Sequence, residues 1–146
     1  MRRSGVFVLS VAAATLLSAC GGAGSSRASF VDRANTICRR YHRGVSTLKP
    51  PKTASEEVGY ARNVLRLYRT ASTRLAALHP PKADAPAYGR WLAANRVIEK
   101  DVVRIVQAAR ARDRARLKAS VARGRRDDAR SSRLARALGL VACAKA

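Results

Sequence analysis

The spacing of helix-ending residues along the chain is the feature that most restricts its fold. From Ser29 onward these residues divide the sequence into four segments: they are Pro50-Pro51, Pro80-Pro81, a weaker break near Asp113, and Gly139. Proline removes a backbone hydrogen bond and clashes with the preceding turn, so a helix rarely continues through it. Within each segment apolar residues recur at spacings of three and four, and no alternating pattern of a β-strand occurs. The sequence therefore predicts an all-α protein with four helices.

Each predicted helix carries its larger apolar residues on one face. In chain order these inner-face positions are Phe30, Ala34, Ile37, Cys38, Tyr41, Val45 and Leu48; Val58, Ala61, Val64, Leu65, Tyr68, Ala71, Leu75 and Leu78; Tyr88, Trp91, Leu92, Val97, Ile98, Val102, Ile105 and Val106; and Leu117, Val121, Leu134 and Leu138. The third set is the most apolar, which predicts that the third helix forms the centre of the core. The fourth set is sparse and Gly124 interrupts it, so we expect the fourth helix to be the least stable.

Residues that commonly cap helices stand at the segment boundaries. We expect the first helix to begin at Ser29, Thr53 and Glu56 to form a capping box for the second, and Asp84 to cap the third. Helices of about 20 to 28 residues would be about 30 to 42 Å long, and short connections would make neighbours antiparallel. The predicted architecture is an antiparallel up-down four-helix bundle.

The N-terminal residues have the composition of a secretory signal. Arg2 and Arg3 precede an apolar stretch over residues 5–17, which is shorter than the roughly 20 residues of a membrane-spanning helix. The sequence LSAC at residues 17–20 resembles the lipobox of bacterial lipoproteins. This resemblance implies that the thiol of Cys20 receives a diacylglyceryl group and that cleavage makes Cys20 the new N-terminus. An ordinary secretory signal that contains a cysteine is the alternative.

These features divide the chain into three parts. We predict a lipoprotein signal peptide over residues 1–19, a lipidated Cys20 with a flexible linker over residues 20–28, and a helical bundle domain over residues 29–146. The linker is rich in glycine and serine, which is typical of flexible spacers. The predicted location is the extracytoplasmic face of the cell membrane, with the protein held there by its lipid anchor.

Two of the three cysteines remain once Cys20 is assigned to lipid. Disulfides persist in compartments outside the cytoplasm, so Cys38 and Cys143 are predicted to form one bridge that links the C-terminal tail to the first helix. The bridge would close a loop of about 105 residues and stabilise the fold by about 4 to 5 kcal/mol on the chain-entropy model. Two separate buried thiols are the alternative, because cysteine often serves as a small core residue.

Three stretches resemble small, mostly uncharacterised lipoproteins and secreted helical proteins of high-GC Gram-positive bacteria. They are the sequence FVDRANTIC at residues 30–38, LHPP at residues 78–81 and LGLVAC at residues 138–143. The resemblance covers most of the chain that follows the predicted signal. It implies a disulfide-closed helical domain at the cell envelope, and it implies no activity and no catalytic residues.

The chain is strongly basic, with 30 Lys and Arg against 9 Asp and Glu and a formal net charge of +21. Such a charge favours acidic partners. Two arginine stripes with spacing i, i+4, i+7 are the predicted anion contacts: Arg62, Arg66 and Arg69, and Arg126, Arg130 and Arg133. Anionic lipids or acidic wall polymers are the expected partners at the cell envelope, whereas no nucleic acid is expected there. The codon usage of a GC-rich genome would also produce many arginines without a partner.

The residues needed for catalysis or metal binding are scarce. The chain has only 2 histidines, His42 and His79, and neither belongs to a recognised metal-binding motif. Five carboxylates fall at predicted helix starts, and in the pairs Glu99/Asp101 and Asp127/Asp128 the side chains diverge by about 200° and about 100° around their helices. We therefore expect no enzymatic activity, no metal and no cofactor.

The aromatic residues allow two interpretations. Trp91, Tyr60, Tyr68 and Tyr88 could form a ligand cage, but most of them fit the predicted inner faces, which favours core packing. The sequence therefore predicts a non-enzymatic, basic binding module. The alternative function is an accessory or ligand-binding subunit for another envelope protein, which a cavity inside the bundle would favour.

Overall fold

A computed structural model describes residues 26–144 of the chain. These residues form α1 (Arg27–Ser46), α2 (Ala54–Ala76), α3 (Ala85–Arg110) and α4 (Arg114–Ala137), followed by a short 3-10 helix, η1 (Val141–Ala144). No strand occurs within this described part, so the prediction of an all-α protein with four helices is confirmed. Cys20 and the predicted signal peptide lie outside the described residues. None of the helices in residues 26–144 has the length and apolar character that crossing a membrane requires.

The first helix begins slightly earlier than its apolar pattern predicts. The cap is Ser26 rather than Ser29, because the Ser26 hydroxyl accepts a hydrogen bond of 3.2 Å from the backbone N–H of Ser29. The helix then starts at Arg27, inside the segment predicted to be a flexible linker. The first N–H groups of a helix have no partner within the helix, and the hydroxyl of a capping serine accepts a hydrogen bond from one of them. In α1 the N–H that is paired in this way belongs to Ser29.

The caps of the remaining helices are partly as predicted. The Thr53 side chain accepts a hydrogen bond from the N–H of Glu56, while the Glu56 carboxylate accepts one of 2.7 Å from the N–H of Lys52. Asp113 caps α4 in the same way as Thr53 caps α2. Asp84 occupies the N-cap position of α3 as predicted, but its side chain makes no capping hydrogen bond, because its carboxylate forms an ion pair of 3.0 Å with Arg27.

The core lies at the end of the bundle where the C-terminal tail returns. Phe30 and Leu140 have no exposed surface, and Trp91 is 1% exposed. The ring of Phe30 packs edge-on against Tyr88 at 4.9 Å between centroids, and the Tyr88 hydroxyl donates a 2.7 Å hydrogen bond to the carbonyl of Leu75. All buried members of this cluster lie between Phe30 and Ala142, so a chain that starts at Gly21 contains the whole described core.

The inner face of α3 departs from its apolar pattern in two places. Val97 is 43% exposed although the pattern puts it on the inner face, because it lies about 100° around the helix from Ile98. Asp101 is only 1% exposed, so a carboxylate occupies an inner position that is not among the predicted inner-face residues. Trp91, another predicted inner-face residue of α3, is buried as expected.

The tail after α4 reverses direction through a single glycine. Gly139 has a φ of +78°, a left-handed conformation that glycine adopts without steric cost, and the N–H of Leu140 donates to the carbonyl of Ala135. The chain then forms η1. Asn35 of α1 holds this tail from both sides, since its amide donates to the carbonyl of Gly139 at 3.2 Å and accepts from the N–H of Ala142 at 2.8 Å.

The Cys38–Cys143 disulfide is present, which confirms the predicted pairing. It joins α1 to η1 with a Cα–Cα distance of 5.1 Å. The bridge matters for the arrangement of the bundle. Helices that follow each other in the chain pack together, but no Cα atom of α1 lies within 8 Å of one in α4. The tail, which contacts both helices, therefore closes that side of the bundle at one end and leaves interior space beyond it.

Candidate ligand cavity and basic surfaces

A cavity of about 360 Å³ lies inside the bundle, next to the disulfide. All four helices and η1 contribute to its wall. Its lining residues are Cys38, Tyr41, His42, Val45, Tyr68, Ala71, Ser72, Leu75, Trp91, Asn95, Ile98, Val102, Asp128, Ser131 and Cys143. Binding sites for small molecules commonly have volumes of about 300 to 1,000 Å³ and mostly apolar walls with a few polar groups. In both size and composition this cavity resembles such a site.

Aromatic rings from α1 and α2 form one wall of the cavity. Tyr41 and Tyr68 pack edge to face with centroids 5.8 Å apart, and the ring of His42 lies 5.2 Å from that of Tyr41. Burial is the main cause that raises the pKa of both tyrosines above the ordinary value, and nearby ionisable groups, Asp128 among them, act in the same direction. Both phenols therefore remain protonated at neutral pH.

Asn95 organises the polar groups deeper in the cavity. The Tyr68 hydroxyl lies 2.9 Å from the Asn95 carbonyl oxygen and 3.0 Å from its Oδ1, to which it donates. The hydroxyl of Ser131 also donates to Oδ1, at 3.3 Å, and the Asn95 amide donates to the carbonyl of Trp91 at 3.2 Å. These groups therefore satisfy one another, which links α2, α3 and α4 through a single side chain.

Among the described residues that line this cavity, Asp128 is the only carboxylate. It is half-buried, and burial raises its pKa, while the charge of His42 acts in the opposite direction. Within the described part of the chain Asp128 forms no ion pair, whereas Asp32, Asp84, Glu99 and Asp101 each pair with an arginine. An unpaired, half-buried carboxylate is unusual in a chain with 30 basic residues.

A pair of carboxylates, Asp101 and Asp127, lies between α3 and α4. Asp101 Oδ1 accepts a 2.6 Å hydrogen bond from Arg104, its buried Oδ2 has no hydrogen-bond partner among the described residues, and the carboxyl group of Asp127 lies nearby. Burial, followed by the adjacent Asp127, raises the pKa of Asp101, while Arg104 acts in the opposite direction. Two carboxylates carry no donor, so this contact becomes a hydrogen bond only when the pair holds a proton.

The predicted divergence of the pairs Glu99/Asp101 and Asp127/Asp128 concerns residues within one helix. The approach of Asp101 to Asp127 occurs between two helices, which that prediction did not address. The available sequence signal is that Asp101 falls between Ile98 and Ile105 at helical spacing, on the inner stripe. Gly124 belongs to the same interface, because a Cβ atom at that position would lie 3.7 Å from the Cβ of Asp101.

The predicted arginine stripe of α2 lies on an exposed surface. Arg62, Arg66 and Arg69 are all exposed, and Arg69 forms an ion pair of 2.8 Å with Glu99 of α3. This contact brings the α2 stripe against a stripe of α3 that the sequence interpretation did not single out. Arg69 lines a shallow groove of about 460 Å³ together with these residues of α3: Arg96, Glu99, Lys100, Val103 and Arg104.

We call this surface the basic face and define it by three side chains of α2 and three of α3. Its members are Arg62, Arg66, Arg69, Arg96, Lys100 and Arg104. The signal that could have identified the α3 half is the spacing of four between its basic residues, which places them on one side of a helix. The basic face therefore combines two stripes that are distant in sequence.

The second predicted stripe, on α4, is separate from the basic face. Arg126, Arg130 and Arg133 are exposed and form no ion pair with any described residue. No Cα atom of α4 lies within 8 Å of one in α2, so the two predicted stripes do not meet. The six arginines predicted to contact anions therefore lie on two separate surfaces.

The described residues contain no group of three or more His, Cys, Asp or Glu side chains that could hold a metal ion. His42 lies at the cavity and His79 in the exposed turn between α2 and α3. Tyr88 and Trp91 are buried in the core, and Tyr68 and Trp91 both line the cavity.

Comparison with protein family models, with curated proteins and with solved structures finds no match to this chain.

Proposed function

We propose that this protein is a non-enzymatic, lipid-anchored module of the cell envelope that binds anionic surfaces through its basic face. The lipobox-like sequence supports an anchor at Cys20, and the residues that follow supply a spacer before α1 begins at Arg27. We further propose that the helices run up and down in antiparallel order, which the short connections between them support. The expected partners share one chemistry, the phosphate and carboxylate groups of anionic lipids or acidic wall polymers.

The observation that carries this proposal is the excess of unpaired cations on the basic face. Glu99 and Asp101 neutralise Arg69 and Arg104, whereas four other members form no ion pair within the described residues: Arg62, Arg66, Arg96 and Lys100. Like charges at this density repel one another, and an anionic partner relieves that repulsion. The α4 stripe offers further contacts to a polymer long enough to reach around the bundle.

The expected strength of this interaction follows from the number of unpaired cations. Each Lys or Arg near an anionic membrane contributes about 1 kcal/mol, so the four unpaired side chains contribute about 4 kcal/mol, or roughly a thousandfold in affinity. A lipid anchor adds to this effect by raising the local concentration of the domain at the membrane. Salt weakens the attraction because the side chains are exposed.

The direct test uses the chain from Gly21 without a lipid, made in an oxidising compartment. Its binding is measured at low and high salt to phosphatidylglycerol vesicles, to phosphatidylcholine vesicles and to soluble poly(glycerol phosphate). We expect binding to the two anionic targets at low salt and its loss at high salt. An absence of binding to both anionic targets at low salt, or binding that ignores charge and salt, would contradict the proposal.

Two triple variants with equal loss of charge locate the contact. One removes cations from the basic face and the other from α4: R62Q/R66Q/R96Q and R126Q/R130Q/R133Q. For vesicles we expect the first variant to bind about a hundredfold more weakly and the second to lose much less, because a membrane meets one side of the bundle at a time. Equal losses would show that net charge, and not the basic face, governs binding.

Lipidation is tested independently of binding. Cys20→Ala in the full chain should abolish fatty-acid labelling, because that thiol is the proposed attachment point. Cys38→Ala is the matched control and should retain the label. Label that persists on the Cys20 variant would remove the proposed anchor.

A second candidate function is an accessory or ligand-binding subunit for another envelope protein. The cavity of about 360 Å³ inside the bundle favours it, since a basic surface module needs no interior space. The chemistry of that cavity determines what it could bind.

A further inference from the structure

The cavity combines apolar walls with an opening between helices. Val45, Leu75, Ile98 and Val102 supply aliphatic surface from three different helices, and the Tyr41 and Tyr68 rings supply aromatic surface. Since α1 and α4 do not approach each other closely, the interior is reachable from their side of the bundle. A small molecule with an apolar body would therefore find both space and contact area.

The polar groups of the cavity fall into two sets. The deeper set, built around Asn95, is satisfied internally by hydrogen bonds from Tyr68 and Ser131. Closer to α1, the Tyr41 hydroxyl and the Asp128 carboxylate make no hydrogen bond within the described part of the chain. These two groups are available to a ligand, and so is the buried Nε1 of Trp91, which lines the cavity and has no hydrogen-bond partner in the described part of the chain.

Asp128 determines the charge of the ligand. Arg125 is one turn away on the same helix, where an ion pair could form, yet the carboxylate pairs with no basic residue of the described chain. His42 attracts it without reaching ion-pair distance. Half-burial of an unpaired carboxylate is unfavourable, and a bound cation would remove that cost.

The nearby aromatic rings favour an organic cation over a hydrated metal ion. An ammonium group within about 6 Å of an aromatic centroid is attracted by the negative face of the ring, and Tyr is one of the side chains that provide this attraction. A metal ion would need several ligands, and the described residues contain no cluster that could provide them.

We propose that the cavity between the four helices binds a small organic cation, namely an ammonium group carried on an apolar body. The ammonium group pairs with Asp128 beside the ring of Tyr41, and the apolar body packs against Ile98, Val102 and Tyr68. This site deepens the second candidate function and is independent of the basic face. It also predicts a different salt response, because a half-buried ion pair is screened less than exposed arginines are.

The test uses the oxidised chain from Gly21, which contains the whole described core, in solution without lipid. The probes are benzyltrimethylammonium and its neutral isostere neopentylbenzene, titrated at matched ionic strength. The fluorescence of the single tryptophan, Trp91, which lines the cavity, follows binding, and NMR shifts of the Asn95 side-chain amide locate it. We expect saturable binding of the cation, with at least tenfold weaker binding of the neutral isostere.

Two variants with the same loss of one carboxylate charge test the role of Asp128. Asp128→Asn should weaken binding of benzyltrimethylammonium by at least about tenfold, while Asp32→Asn, an exposed residue of α1 outside the cavity, should change it less than about twofold. Thermal melts followed by circular dichroism verify that both variants are folded. Tyr41→Leu gives a second readout, since it removes the aromatic face and should also weaken binding.

Three results would overturn the proposal. The first is no saturable binding of the cation by the wild-type chain. The second is equal binding of the cation and its neutral isostere, which would make the cavity an apolar site without selectivity for charge. The third is unchanged binding by Asp128→Asn, with the NMR shifts located away from Asn95. None of these results depends on whether the basic face binds vesicles.

Discussion

Removal of the disulfide should produce the largest single loss of stability in this protein. The change is Cys38→Ala together with Cys143→Ala in the chain from Gly21. The bridge spans a sequence separation of 105 residues. On the chain-entropy model, a loop of this length restricts the unfolded state by about 4.7 kcal/mol at 25 °C.

The size of the domain converts this loss of free energy into a change of the melting temperature. Unfolding entropies of about 2.1 cal/mol/K per residue give roughly 0.25 kcal/mol/K for a domain of about 120 residues. A loss of 4.7 kcal/mol then lowers the melting temperature by about 19 °C, and the lower end of measured disulfide contributions, about 2 kcal/mol, by about 8 °C. Leu140 and Asn35 continue to hold the tail without the bridge, so the variant should still fold.

The assay is thermal unfolding by circular dichroism of three samples: the oxidised chain, the same chain under reducing conditions, and the double variant. The reduced chain and the double variant should melt at similar temperatures, both about 8 to 19 °C below the oxidised chain. Mass measurement after alkylation of the unreduced, unfolded chain should show no free thiol at Cys38 or Cys143. Two alkylated thiols, or a double variant that melts together with the oxidised chain, would refute the reasoning.

Two further predictions concern the interface between α3 and α4. Because burial and Asp127 raise the pKa of Asp101, the folded state binds this proton more tightly than the unfolded chain, and this group destabilises the fold increasingly as pH rises through the interval between the two pKa values. Asp101→Asn should therefore be more stable than wild type at neutral pH, by about 1 kcal/mol, and should lose this advantage below about pH 3.9. Urea titrations at several pH values measure this difference. An advantage that does not vary with pH would contradict this assignment. Gly124→Ala should raise stability by about 1 kcal/mol, because the new Cβ would make an ordinary contact at 3.7 Å with Asp101. At Gly44 the new Cβ would lie 3.2 Å from Leu67, so Gly44→Ala should raise stability less. Equal gains of the two variants in thermal melts would count against this distinction.

The elements of this fold could be predicted from local sequence alone. Apolar spacing, proline pairs and capping residues act within a few positions, so they identified four helices and the cap at Thr53. The count of cysteines predicted the disulfide, because only two thiols remained to pair. Two caps differed from the prediction. Ser26 caps α1 in place of Ser29, and the carboxylate of Asp84 pairs with the distant Arg27 instead of making a capping hydrogen bond.

The candidate sites depend on how the helices face one another, which no local pattern specifies. The sequence identified the stripe that contains Arg66, but the contact between Arg69 and Glu99 joins that stripe to the cations of α3. Likewise Asp128 reads as a surface residue until α1 brings aromatic rings towards it. Periodicity determines which side of each helix is apolar, since it depends on one helix alone. The rotation and separation of neighbouring helices depend on packing across the whole core, and they determine which polar side chains meet and where interior space is left.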